Sequence, residues 1–284
     1  MSGSLSRSVV PKKPQDRELV AGTTAHYEDP DYYDRTYARR REDLAFYVEL
    51  AKKTGGPILE YGCGSGRITL PMAEVGASVL GVDQSAPMLA RLKQRLAEAP
   101  ADIRGRVRVR AGDMRKLRVK ERFALITCPF NTFLHLYDRE DVEAFLARVR
   151  EHLAPGGVLA FDVSVPDPNE LARKPERGYR IRPFVYPGVG RVRYQERFDY
   201  DGMRQLLFVS CEFEPESGAE RFMLPLAHRQ FYPRELEALF HYNGFAIERW
   251  IGDFKGEPTH ETHHLALIAR PHAKRGARLR TAAP

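Results

Sequence analysis

Ile58-Leu-Glu-Tyr-Gly-Cys-Gly-Ser-Gly66 is the stretch on which the reading of this 284-residue chain turns. Pro57–Tyr61 predicts a short strand, 62–66 a glycine-rich turn, and Arg67–Val75 a helix. Strand, glycine turn and helix in that order are the setting in which a backbone loop cradles a nucleotide. Glycines at 62, 64 and 66 remove side chains where the chain must bend sharply and approach a ligand.

Working outward, the apolar residues Leu44, Phe46, Tyr47, Leu50 and Ala51 recur at helical spacing before Gly55-Gly56-Pro57 stops the helix. After the glycine turn, short apolar runs alternate with helical patterns: strands at Ser78–Asp83, Arg106–Arg110, Phe123–Cys128 and Val158–Val163, and helices at Ser85–Ala97 and Arg139–Leu153. That alternation predicts a parallel sheet covered by helices. The rhythm then changes. Arg191–Tyr200, Arg204–Phe213 and Arg221–Phe231 are three runs without helical period, separated by Asp201-Gly202 and Glu216-Ser217-Gly218, and they predict an antiparallel insert. Helix Pro233–Tyr242 and strands Phe245–Ile251 and His263–Ala269 resume the first pattern. The expected fold class is α/β: a doubly wound, Rossmann-like, mostly parallel seven-stranded sheet with an inserted antiparallel β lid. The boundaries are an N-terminal tail at 1–26 expected to be disordered, core at 27–177, lid at 178–231, end of core at 232–270 and a basic tail at 271–284.

Composition narrows the function classes. No run approaches the ~18–20 apolar residues of a membrane span, and the N-terminus has no apolar stretch behind its charge, so a cytoplasmic location is expected. Cys63, Cys128 and Cys211 are too few and too widely spaced for a disulfide framework. The net charge of +7 is unevenly spread. Arg7, Lys12, Lys13 and Arg17 against Asp16 and Glu18 put +2 in the first tail, and Lys274, Arg275, Arg278 and Arg280 put +4 in the last, leaving +1 for 27–270. The arginines between Arg104 and Arg122 alternate with Val107 and Val109, as on a strand with one buried face, so a solvated sheet edge is expected there rather than a nucleic-acid surface. His260-Glu-Thr-His-His264 matches a zinc-protease pattern, but it leads into a strand where that chemistry needs a helix, and no metal is expected.

Three further stretches suit the ligand of the glycine turn. Asp83, at the end of the second strand, can accept from both hydroxyls of a ribose. Gly112-Asp-Met114 follows the third strand, where a carboxylate and an amide can read an adenine edge. Cys128 through His135 ends the fourth. A dinucleotide loop would need glycine at 67, where this chain has Arg67, which disfavours a dehydrogenase. Together with Leu153-Ala-Pro-Gly-Gly157, these motifs resemble those of class I S-adenosylmethionine (SAM)-dependent methyltransferases, most closely the small-molecule, amino-sugar type N-methyltransferases. Element order carries the resemblance over roughly residues 30–270. It implies SAM as cofactor, with Gly62, Gly64 and Gly66 beneath its methionine part, Asp83 on the ribose, Gln84 and Met88 flanking the adenine, Asp113 and Met114 on the adenine edge, and Cys128 beside the methionyl group through its backbone. Tyr33 would close over cofactor and substrate, and His135 would face the methyl acceptor as general base. The implied partner is a small-molecule acceptor, an amine before a hydroxyl, bound among Tyr33, Phe130, Phe133, His135 and the lid. An RNA or protein acceptor is the alternative. The lid aromatics Tyr194, Phe198, Tyr200, Phe208 and Phe213 are expected to line that pocket or a homodimer contact.

Overall fold

The computed structural model describes residues 17–272. The chain opens with helices α1 (Arg17–Thr24), α2 (Pro30–Tyr37) and α3 (Glu42–Thr54), with a 3-10 turn at Ala25–Tyr27. Gly55, at φ 73°, ends α3 in the left-handed region that glycine tolerates. There follow β1 (Ile58–Tyr61), α4 (Thr69–Glu74), β2 (Val79–Asp83), α5 (Ala86–Glu98), α6 (Ala101–Arg106), β3 (Val107–Ala111), β4 (Phe123–Cys128), α7 (Arg139–His152) and β5 (Leu153–Ser164). After α8 (Pro168–Leu171) come β6 (Tyr179–Tyr186), β7 (Gly190–Asp201), β8 (Leu206–Pro215) and β9 (Phe222–Arg229), then α9 (Pro233–Tyr242), β10 (Phe245–Gly252) and β11 (His264–Pro271).

Seven strands form one sheet in the order β10-β11-β5-β4-β1-β2-β3. Only β11 runs against its neighbours. Both faces of the sheet are covered, so its strands read as continuous apolar runs. Alternation along β1 sends Leu59 and Tyr61 to a cluster with Ile126, Phe133, Phe161 and Phe240, and Ile58 to another with Tyr47, Met72 and Val158. Strand order reverses between β1 and β4, and the crevice beyond the carboxyl ends at such a switch point is where these sheets bind ligands.

The second sheet, β6-β7-β8-β9, is antiparallel throughout. Its fourth strand, β6, escapes the sequence reading because Pro183 and charged residues interrupt the alternation. The N-terminal segment ties the sheets together. In α1, Gly22 lies so close to β9 that a Cβ there would stand 2.7 Å from the Cβ of Ala227. In α2, Tyr32 stacks on Tyr186 of β6, ring centroids 4.8 Å apart.

The structure amends several boundaries. The tail expected through residue 26 is cut short, because 17–26 form α1 and most of the 3-10 turn; residues 1–16 and the basic tail from 273 lie outside the described residues. Helix α6 was not anticipated, and β5 begins at Leu153, five residues before the strand expected from Val158. Among the described residues no helix is long and apolar enough to cross a membrane, and no group of histidines, cysteines and carboxylates is placed to hold a metal. His260–His263 form a loop before β11.

Candidate functional site

A crevice of about 450 Å³ opens over the carboxyl ends of β1 and β2, within the ~300–1,000 Å³ of small-molecule sites. Gly62 and Gly64 form its floor at φ 71° and 52°. Thr132 explains the first, because a Cβ on Gly62 would meet its Oγ1 and Cγ2 at 2.5 Å. Gly66 takes φ 87° for a different reason. A Cβ there would strike Leu92 of α5 at 2.4 Å, so it allows helix and turn to pack and stands outside the crevice wall.

Asp83 ends β2 and lines the crevice. Its Oδ2 accepts from the Gly64 amide at 2.8 Å and its Oδ1 from the Ser85 amide at 2.8 Å. Burial pushes its carboxyl above the usual range, and the amides of Ser85, Gly64 and Gln84 oppose the shift. A carboxylate has about four lone-pair sites, more than these amides fill, so Asp83 can still accept from a hydroxyl donor. Gln84, Ser85 and Ala86 continue the wall. Ser85 also caps α5, its Oγ accepting from the Met88 amide at 3.3 Å.

The remaining predicted residues divide. Tyr33, Met114 and His135 line the crevice. Met88 does not: it is buried beneath the loop, with Cε 3.2 Å from where a Cβ of Gly64 would lie. Asp113 turns away, its carboxylate held by Arg115 through Nη2 at 2.8 Å and Nε at 2.9 Å, which leaves Gly112 and Met114 as the wall at the end of β3. Cys128 is sealed in the core, where burial raises its thiol pKa, and the wall beyond β4 is made instead by Phe130 and Thr132. Phe133, expected at the acceptor, is wholly buried. The lid aromatics do not reach the crevice either. Tyr194 and Phe213 stack with each other and join Tyr186 and Tyr32 at the seam, Phe208 packs against Ala227, and Phe198 lies under Arg173.

The roof comes from a segment of which the sequence reading placed only Tyr33 over the ligand and left residues 23 and 24 in the tail. Thr23, Thr24, Tyr27, Glu28 and Tyr33 line it, and Ser85 Oγ donates to the Tyr27 carbonyl at 3.1 Å. Behind the roof lies a cluster of imidazoles and phenols. His135 Nε2 lies 2.7 Å from Tyr27 Oη and its Nδ1 2.8 Å from Tyr137 Oη. The His228 ring is 5.1 Å away, and His26 Nε2 pairs with Tyr37 Oη at 2.9 Å. Burial, with His26 adding to it, lowers the His135 pKa to about 4, and burial alone lowers that of His26 to about 4. Both are therefore neutral at pH 7.

Among the described residues the crevice wall holds the carboxylates of Asp83 and Glu28, four aromatic rings at Tyr27, Tyr33, Tyr61 and Phe130, and no lysine or arginine. Such a wall offers no cationic side chain to a pyrophosphate. Carboxylates and ring faces instead suit a nucleoside that carries positive charge.

Residues 58–157 match the model of the methyltransferase domain family. The chain is 34% identical over 139 residues to a cypemycin N-terminal methyltransferase of a Streptomyces species, covering 49% of this chain and 52% of that one. It is 30% identical over 152 residues to a dTDP-3-amino-3,6-dideoxy-α-D-glucopyranose N,N-dimethyltransferase of Streptomyces fradiae, covering 50% and 56%. The chain thus spans about half the length of these curated relatives. A solved glycopeptide N-methyltransferase, MtfA, in complex with SAM superposes with TM-score 0.56 at 25% identity, covering 80% of this chain and 93% of that one.

Proposed function

With a methyltransferase domain over residues 58–157 as the premise, we propose that the chain is a SAM-dependent enzyme that methylates a small-molecule acceptor, an amine by preference. The observation that carries this is the crevice itself: a floor of bare glycine backbone, an acid with spare lone pairs at the end of β2, and an aromatic roof without cationic side chains. Asp83 would take the ribose hydroxyls, Gly62 and Gly64 the amino-acid part, and Met114 and Gln84 the base. The bound group supplies a methyl already activated on a sulfonium.

The chain's own work is then to bring an acceptor in line and keep water out, an effect that can lower a barrier by ~7–11 kcal/mol. Tyr33 and Phe130, edge to face with centroids 6.1 Å apart, wall the end of the crevice where an acceptor would enter. His135 acts through Tyr27 in this reading rather than as a direct base. Both its nitrogens are engaged, and an imidazole with a pKa of about 4 is too weak to strip an alkylammonium, which holds its proton up to ~10. A hydroxyl acceptor is a second reading that needs no base either, because a methylated oxonium is acidic enough to yield its proton to water.

Titration calorimetry tests the cofactor assignment. SAM should bind the wild-type protein, and Asp83→Ala should weaken that binding at least tenfold; no heat with SAM and a clear isotherm with NAD would reverse the assignment. A methyl-transfer screen of amines and phenols with mass detection then separates the two acceptor classes.

A further inference from the structure

The hydrogens around His135 can be placed by counting donors. Thr23 has one hydroxyl hydrogen, which the Leu19 carbonyl at 2.7 Å and the Tyr137 oxygen at 2.8 Å share. Tyr137 also has one, and besides Thr23 its oxygen meets the Ala227 carbonyl at 3.1 Å and His135 Nδ1 at 2.8 Å. A carbonyl only accepts, so the one hydrogen that Tyr137 carries goes to Ala227. The His135 contact is then made only if Nδ1 brings the hydrogen. A neutral imidazole has a single N–H, so Nε2 is a bare lone pair, and the hydrogen in the 2.7 Å contact with Tyr27 belongs to Tyr27.

We propose that Tyr27 is the residue that positions the methyl acceptor, presenting only oxygen lone pairs to the crevice because its hydrogen is locked on His135. This deepens the methyl-transfer reading and rests on it. An acceptor held by Tyr27 must bring an N–H or O–H, and accepting that hydrogen turns the nitrogen lone pair away from the tyrosine and toward the methyl donor. As the new N–C bond forms from that lone pair, the methyl–sulfur bond breaks and its electrons stay on sulfur. The N–H proton remains on the product ammonium and is shed in water, so no protein group need hold it. A primary amine meets the requirement twice, since its monomethyl product still has an N–H. A neutral tertiary amine does not meet it, and methylation stops there.

The neighbourhood keeps this polarity fixed. The titratable groups facing His135 are Tyr27 and His26 from the 3-10 turn, Tyr137 before α7 and His228 from β9. Burial raises the pKa of both Tyr27 and Tyr137 and lowers that of His228, so none becomes charged near neutrality.

The side-chain ¹⁵N shifts of His135 in the full chain, assigned by their loss in His135→Gln, read the arrangement without any turnover. The expected pattern is a protonated Nδ1 and an unprotonated Nε2; a hydrogen on Nε2 overturns the proposal. Tyr27→Phe should lower kcat at least tenfold while leaving KM and SAM affinity within threefold, and wild-type turnover in that variant also overturns it. So does any quaternary ammonium product. If SAM fails to bind while His135 shows the expected protonation, the methyl-transfer reading falls and the polarity of Tyr27 stands.

Discussion

Glu60 sits inside the decisive motif, yet it never reaches the ligand side. It is fully buried, accepts from Thr69 Oγ1 at 2.6 Å, and burial pushes its carboxyl up to about 8. The folded chain therefore keeps a proton that the unfolded chain gives up above about 4.5. Stability from this proton is complete below about 4.5 and is lost as pH rises through 8. Glu60→Gln carries a neutral amide at every pH. Its melting temperature should match the wild type near pH 5 and exceed it by several degrees at pH 9. Thermal scans at the two pH values check this, and a constant difference would show that Glu60 is ionised in the fold. At this scale the sequence was a partial guide. Gly62, Gly64 and Asp83 line the crevice, because their places are set by backbone and by strand ends. Asp113 and Cys128 do not, because their surroundings depend on Arg115 and on the core, which spacing cannot reveal.

Among the elements, α2 is fastened to α5 by charge. Asp34 accepts from Ser65 Oγ at 2.5 Å, Arg95 Nη2 at 2.8 Å and Arg91 Nε at 3.2 Å, and Asp31 also pairs with Arg91. Exposed pairs contribute little, but the Asp34 side chain is only 13% exposed and joins three donors from two elements. Asp34→Ala should cost about 1–2 kcal/mol and speed SAM release at least fivefold in stopped-flow measurements, since α2 carries Tyr33 of the roof. A stable variant with unchanged release would make the strap purely structural. The arginine-rich edge tells the converse story. Arg106 pairs with Asp102, Arg108 with Glu121 and Arg118 with Glu151, while Arg110 reaches the Arg118 carbonyl. Alternation along β3 was readable in the sequence. The partner of Arg108 was not, because Glu121 lies 13 residues on, beyond the end of the strand.

Across the whole molecule, two sheets meet through a seam that holds His26 and His135, both facing tyrosines, and His228 against His135. Their folded pKa values lie below the ordinary 6.5, so the unfolded chain takes up protons first. Stability is then intact above about 6.5 and falls as pH drops toward 4. The drop in melting temperature between pH 7 and pH 5 should be smaller in His26→Gln than in the wild type; an equal drop would place the acid sensitivity in the carboxylates. The seam also explains what the sequence could not show. Three strands of the second sheet, β7 to β9, were visible from their alternation, but their partner is the stretch 17–37, which composition filed partly as a tail. An eight-residue helix such as α1 has no stability of its own and forms by packing.

The contribution of α1 to the crevice wall has a practical side. A worker trimming this gene to its compact α/β part would cut near residue 27 and discard Thr23 and Thr24. The shortened chain would keep its sheet and its glycine floor, yet one side of its binding chamber would stand open to water. A negative assay on such a fragment would say nothing about the intact chain.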